Sequence, residues 1–165
     1  QGDPSRYIAE ALGLGYLPPI ELSSSTRLAN VLLGDVDFRG VRGRQSINLL
    51  LASALTEWRI RLREVAKSPA WKALEVARAE QRSVPATVQA RLPKGLSVTV
   101  YGLHGLLPTG RVNGIHRSTP QEEVDFVLRS RIGQEVRVEI LRLDEDYGHI
   151  FVSERVAAGY QIRLL

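Results

Sequence analysis

The chain contains no cysteine and no methionine, three histidines, and only 6% aromatic residues over its 165 positions. Without thiols it can form neither a disulfide framework nor a thiolate metal site, and the absence fits a cytoplasmic setting. His104, His116 and His149 fall at no ligand spacing such as a His-Glu-x-x-His helix, so no metal and no cofactor is expected. No apolar run reaches the ~18 residues a membrane-spanning helix needs, and no membrane partner is expected. The opening QGDPSRY lacks the basic and apolar regions of a secretory signal. Because it begins at Gln1, the sequence reads as processed, trimmed or a fragment.

Enzyme signatures are missing too. There is no phosphate-cradling glycine loop, no Gly-x-Ser-x-Gly elbow and no pair of carboxylates on one helix face. Asp144, Glu145 and Asp146 are adjacent, but with Tyr147-Gly148 behind them they read as a hairpin turn. The expectation is therefore a binding protein rather than an enzyme. What is present is a mild positive balance, 22 Lys and Arg against 18 Asp and Glu, for a net charge of +4. It is spread evenly along the chain, which permits contact with nucleic acid without demanding it.

The first half reads as helical. DPSRYIAEALG and STRLANVLLG look like two short helices separated by Leu-Pro-Pro-Ile, and Gly34 to Gln45 reads as a glycine-punctuated loop. The loop's Arg39, Arg42 and Arg44 are free to converge on phosphates or simply to face solvent. From Ser46, a candidate cap, apolar residues at Ile47, Leu50, Leu51, Ala54, Leu55, Trp58, Leu62 and Val65 step by three and four, which predicts one long helix. Glu57 and Arg61 would pair along it, and Leu49 and Ile60 would widen the stripe enough to offer an outward surface. Ser68 and Pro69 open a further helix whose inner face is Trp71, Leu74 and Ala77.

After Gln81 the period changes to two. SVPATVQARLP, GLSVTVYG and QEVRVEILRLDEDYGHIFVSER alternate apolar and polar positions as half-buried strands do. Leu96, Val98, Val100, Val136, Val138 and Ile140 point inward; Ser97, Thr99, Glu135, Arg137 and Glu139 point outward. Thr119, Pro120 and Glu122 predict a capped helix that Gly133 closes. Five short strands in a closed meander, with a helix between the third and fourth, imply a small barrel of the oligonucleotide-binding type.

The segment AWKALEVARAEQRSVPATVQARLPKGLSVTVYGLHGLLPTGRV resembles the repeat of bacterial ribosomal protein S1. A Trp-bearing helix leads into a strand, a Lys-Gly turn, a Val-rich strand, a tight turn and a Gly-Leu-Leu-Pro exit. IGQEVRVEILRLDEDYGHIFVSERV is similar to the closing strands of the same family. The resemblance implies an OB-fold barrel that binds single-stranded RNA on strands two, three and five, through aromatic and basic side chains. Carried over by motif, the contact positions are Lys94, Ser97, Leu106 (where the family prefers Phe), Pro108 (where many members have His), Asp144 and His149 (which replaces Arg). Two stacking platforms are thus absent; Phe151, outward by alternation, offers a displaced one, and Arg111, Arg117 and Arg142 add phosphate contacts.

The expected architecture is α+β: a helical segment over 1–69, an S1-like OB-fold barrel over 70–157 and a tail over 158–165. The expected function is RNA binding in translation, as a component of the small ribosomal subunit or a factor associated with it. The alternative is a docking module that binds ribosomal or other protein subunits of a larger assembly.

Overall fold

Local chemistry makes the first helix, α1 (Pro4–Ala11). Asp3 caps it by accepting from the Ser5 amide at 3.0 Å, and Pro4 takes the first helical position. The computed structural model describes residues 2–44 and 46–154. They form two compact units, 2–68 with Glu145–Gly148, and Pro69–Asp144 with 149–154. The tail expected at 158–165 and the barrel end at 157 lie outside the described residues.

In the first unit, α1 is followed by β1 (Ile20–Ser23), β2 (Leu28–Leu33), α2 (Asp35–Arg44), α3 (Ser46–Thr56) and β3 (Arg59–Glu64). The sheet order is β1-β2-β3, with β1 antiparallel to β2 and β3 parallel to it. Parallel pairing needs a crossover, which α2 and α3 supply. Ile8 from α1 and Leu12 just after it, Ala29, Val31 and Leu33 from β2, with Val41, Ala52 and Trp58, make the core.

The unit is therefore mixed, not purely helical, and three expectations need correction. STRLANVLLG is not a helix: residues 24–27 turn the chain, with Arg27 at φ 54°, and Ala29, Val31 and Leu33 alternate inward as a strand requires. Gly34–Gln45 is not a loop but mostly α2. Asp35 and Asp37 sit in its first turn, where the helix dipole favours them, and Arg39 binds Asp35 at 3.0 Å. Burial of Val41 offsets the propensity cost of the interior glycines. The first-turn amides would otherwise be orphans; Asp35 N–H donates to the Glu145 carbonyl at 3.0 Å and Val36 N–H to that of Asp146 at 2.8 Å. Arg39 and Arg42 do not converge, since Arg42 lies over the Phe38 ring at 5.7 Å; the Arg44 side chain lies outside the described residues.

The third correction concerns the long helix, which ends at Thr56. Thr56 turns its hydroxyl back to the Ala52 carbonyl at 2.7 Å and accepts from the Trp58 amide, while Glu57 takes a left-handed φ of 60°. The chain then runs extended as β3. Glu57 accordingly meets Arg27 at 3.7 Å rather than Arg61. Leu49 and Ile60, expected outward, pack against the core, whereas Leu50, Leu51 and Leu55 stand 73%, 54% and 66% exposed. The Ser46 cap and Ile47 lie outside the described side chains.

In the second unit, α4 (Pro69–Ala79) buries Trp71, Leu74 and Ala77 completely, as expected. The Ser68 hydroxyl donates backward to the Val65 carbonyl at 2.6 Å. The strands β4 (Val84–Leu92), β5 (Gly95–Val100), β6 (Leu103–Pro108), β7 (Glu135–Asp144) and β8 (His149–Ser153) close into a barrel ordered β4-β5-β6-β8-β7. This is not a meander. The last hairpin is inverted, so β8 joins β6 in parallel and β7 closes on β4 antiparallel. It is the strand order of an oligonucleotide-binding barrel.

Leu96, Val98 and Val100 are fully buried, with Val136, Val138 and Ile140 beside them. Helix α5 (Gln121–Arg131) buries Val124 and Leu128. Its capping box does not form. Pro120 is the cap residue, and Thr119 instead accepts the His116 amide at 2.8 Å. Gly133 follows the helix at φ 84°, as expected.

Candidate nucleic-acid interface

The turn between β5 and β6 is two residues long, Tyr101 and Gly102, and both have positive φ, 51° and 81°. That is the signature of a tight hairpin whose twist matches its strands, so β5 and β6 run in strict register. Ser97 faces Leu106 across that pair, Leu106 faces Phe151 on β8, and Phe151 faces Arg142 on β7. Four residues expected at the site thus form one continuous row around the barrel. All four lie on the outer surface, Ser97, Leu106 and Phe151 half-buried and Arg142 exposed.

Arg142 reaches the row through a bulge. The register of β7 against β8 shifts between Ile140 and Arg142, so Leu141 is the extra residue. Strict alternation from Val136, Val138 and Ile140 would have sent Arg142 inward. Its guanidinium instead lies 5.5 Å from the Phe151 ring centroid, close enough for a cation–π contact. Asp144 Oδ2 holds the same guanidinium at 3.7 Å, and the His149 ring meets Phe151 edge-on with centroids 6.2 Å apart. Asp144 and His149 face each other across β7 and β8. The result is a half-exposed ring braced by two nitrogenous side chains.

Lys94 is exposed in the two-residue turn between β4 and β5, and its carbonyl accepts from the Thr109 amide at 3.0 Å. Pro108 pairs with Gly95 at the other end of β6. Arg111 is exposed in the 3₁₀ turn that follows. Arg117 is exposed in the connection before α5, off the strands that carry the row.

Two further features lie outside this row. His104 faces Thr99, one outward position nearer the turn than the Ser97–Leu106 pair. Partial burial holds its pKa below the ordinary histidine value of 6.5. The unfolded chain then binds the proton more readily than the fold, so this contribution is complete above pH 6.5 and is lost as pH falls through the folded value. An imidazole NMR titration should place His104 below the ordinary midpoint, and His104→Gln should flatten the acid side of the stability curve. A midpoint at or above the ordinary value would refute the assignment. The second feature is a clamp of Asn113, Arg131 and Glu154. Its partners lie too far apart in the chain for any local pattern to announce them.

No family model matches the chain, and no curated protein matches it. Among solved structures, GSP13 from Bacillus subtilis is similar at 21% identity over 47% of this chain and 56% of its own, with a TM-score of 0.37. The a/eIF2alpha–aDim2p–rRNA complex from Pyrococcus horikoshii is similar at 21% identity over 51% of this chain and 48% of the matched one, with a TM-score of 0.39. This chain thus spans about half the length of these two solved chains.

Proposed function

We propose that the chain binds single-stranded RNA on the β5–β6–β8 face of its barrel and acts in translation, in or beside the small ribosomal subunit. One observation carries the reading: the Ser97–Leu106–Phe151–Arg142 row, with Arg142 and His149 braced on the Phe151 ring. An aromatic face takes any base by stacking, and a guanidinium beside it takes the adjoining phosphate. With Ser97 and Leu106 standing where the S1 family stacks bases, electrostatics supplies most of the affinity. Binding should therefore fall steeply with salt and vary little with base identity.

Fluorescence anisotropy with a short unstructured RNA tests this. Phe151→Ala should weaken binding by about 1–3 kcal/mol, roughly fivefold to more than a hundredfold in affinity. Arg142→Ala should also flatten the salt dependence, by about 0.7 in the slope of log K against log salt. Binding that survives both substitutions unchanged would refute the proposed face.

A second reading has its own support. Leu50, Leu51 and Leu55 on α3 form an exposed apolar face of the kind that docks on another protein. Absence of RNA binding even at low salt would favour this docking role.

A further inference from the structure

β3 reads RIRLRE, and its burial alternates: Arg59, Arg61 and Arg63 are exposed, while Ile60, Leu62 and Glu64 are half-buried. Ile60 and Leu62 pack on the core of the first unit. The period-two geometry of a strand therefore sends all three guanidinium groups to the opposite face. Alternate residues of a strand stand about 6.6 Å apart, so the three positions form a straight row about 13 Å long. On one side the row has Leu28, Asn30 and Leu32 as register partners; on the other side β3 is the edge of its sheet.

These charges are not neutralised by the described residues. Among the described residues, none of the three forms an ion pair; Glu57 is taken by Arg27 at 3.7 Å and Glu64 by Lys67 at 2.6 Å. Glu21 shares the face but stands two strands away, in the register row of Asn30 and Arg61. Three like charges in line repel one another, and a linear polyanion relieves that repulsion better than a compact anion, which needs converging rather than parallel donors. Guanidinium forks fit phosphate oxygens in pairs, and their spacing along β3 is comparable with the reach from one phosphate to the next in an extended single strand. Trp58, the nearest ring in sequence, is only 7% exposed and lies under Arg27 at 4.7 Å, so it leaves no platform for a base.

We propose that Arg59, Arg61 and Arg63 form a second RNA-binding surface, on the first unit, which grips the phosphates of a single strand without reading its bases. This rests on the reading of the chain as an RNA-binding protein, but it concerns a different unit and a different mode of recognition.

The test uses the full chain with polyuridylate. Modification by an arginine-directed dicarbonyl reagent, read by mass spectrometry, should be suppressed by the polymer at Arg59, Arg61 and Arg63 but not at Arg6 or Arg129. The variant R59Q/R61Q/R63Q should bind about tenfold more weakly or worse at low salt. Its slope of log K against log salt should be shallower by about 2, at roughly 0.7 for each phosphate no longer neutralised. A charge-matched control, R6Q/K72Q/R129Q, should change much less. Polyuridylate bound with no protection on β3 would overturn the proposal while leaving the barrel reading intact. Equal protection by polyglutamate would also overturn it, pointing to an acidic protein segment. So would a triple variant that aggregates with an unchanged salt slope, since the arginines would then only guard a sheet edge. Protection on β3 together with normal binding by the Phe151 and Arg142 variants would support the second surface and remove the first. No binding at all would remove both.

Discussion

Gly95→Ala is expected to cost the barrel about 3 kcal/mol or more, and the RNA binding proposed for its face should fall with it. A Cβ at Gly95 would stand 2.1 Å from the Leu107 carbonyl oxygen and 2.8 Å from the Pro108 Cα. Both are backbone atoms of β6, the strand to which β5 is paired from Gly95↔Pro108 through Val100↔Leu103. No rotamer change relieves such a clash; the two strands have to separate at the end where Lys94 and Pro108 sit. Separation would carry Ser97 away from Leu106 and break the row that the proposed interface depends on. Chemical denaturation should show Gly95→Ala far below Gly110→Ala, where the added methyl meets open space. Gly102→Ala should lie between them, since its φ of 81° strains any side chain although nothing crowds it. Equal stabilities for the Gly95 and Gly110 variants would show that the strand ends yield freely and that the close approach has no structural weight.

The barrel was legible because half-buried strands advertise themselves. Leu96-Val98-Val100 and Val136-Val138-Ile140 cannot be anything but inward positions of period-two segments, and the Pro93-Lys94 and Tyr101-Gly102 turns fix how β5 pairs with β4 and β6. What period two does not reveal is where it is interrupted. The bulge at Leu141 puts Arg142 on the outer surface, and its trace is the adjacent apolar pair Ile140-Leu141 followed by Leu143. Half the candidate site, Phe151 with Arg142, depends on that single inserted residue.

The first unit was harder to read because one stretch satisfies two periods at once. Trp58, Leu62 and Val65 step as a helix does, while Trp58, Ile60 and Leu62 step as a strand does. Arg59 and Arg63 fit the solvated back of a helix as well as the outer face of a strand; only Arg61 separates the two, since a helix would turn it to the opposite side and a strand aligns all three. Helix α2 hid behind its glycines, which lower helix propensity by only about 1 kcal/mol each, less than burial of an apolar side chain returns.

Glu154→Ala is expected to destabilise the barrel by about 3 kcal/mol through the clamp that no local pattern revealed. The Glu154 side chain is only 7% exposed. One carboxylate oxygen accepts the Asn113 amide at 2.8 Å and the other accepts Arg131 Nη1 at 2.5 Å, while Arg131 Nη2 donates to the Asn113 carbonyl at 3.3 Å. Three separate pieces meet here: the connection after β6, the last turn of α5 and the residue that follows β8. Removing the carboxylate leaves the guanidinium, 23% exposed, without a counter-charge and the Asn113 amide without its acceptor. Arg131→Met should cost at least as much, because the carboxylate it abandons is the more deeply buried partner. The double variant Glu154→Leu with Arg131→Met should regain most of that stability, since two apolar side chains of similar size leave no buried charge unpaired. With Glu154→Leu alone as the matching single variant, a double-mutant cycle by thermal and urea denaturation reads the difference as coupling between the two sites. Additive effects would mean that each residue acts only through its own packing, and the connection to α5 would then have to be held by Val112, Ile115, Val124 and Leu128 alone.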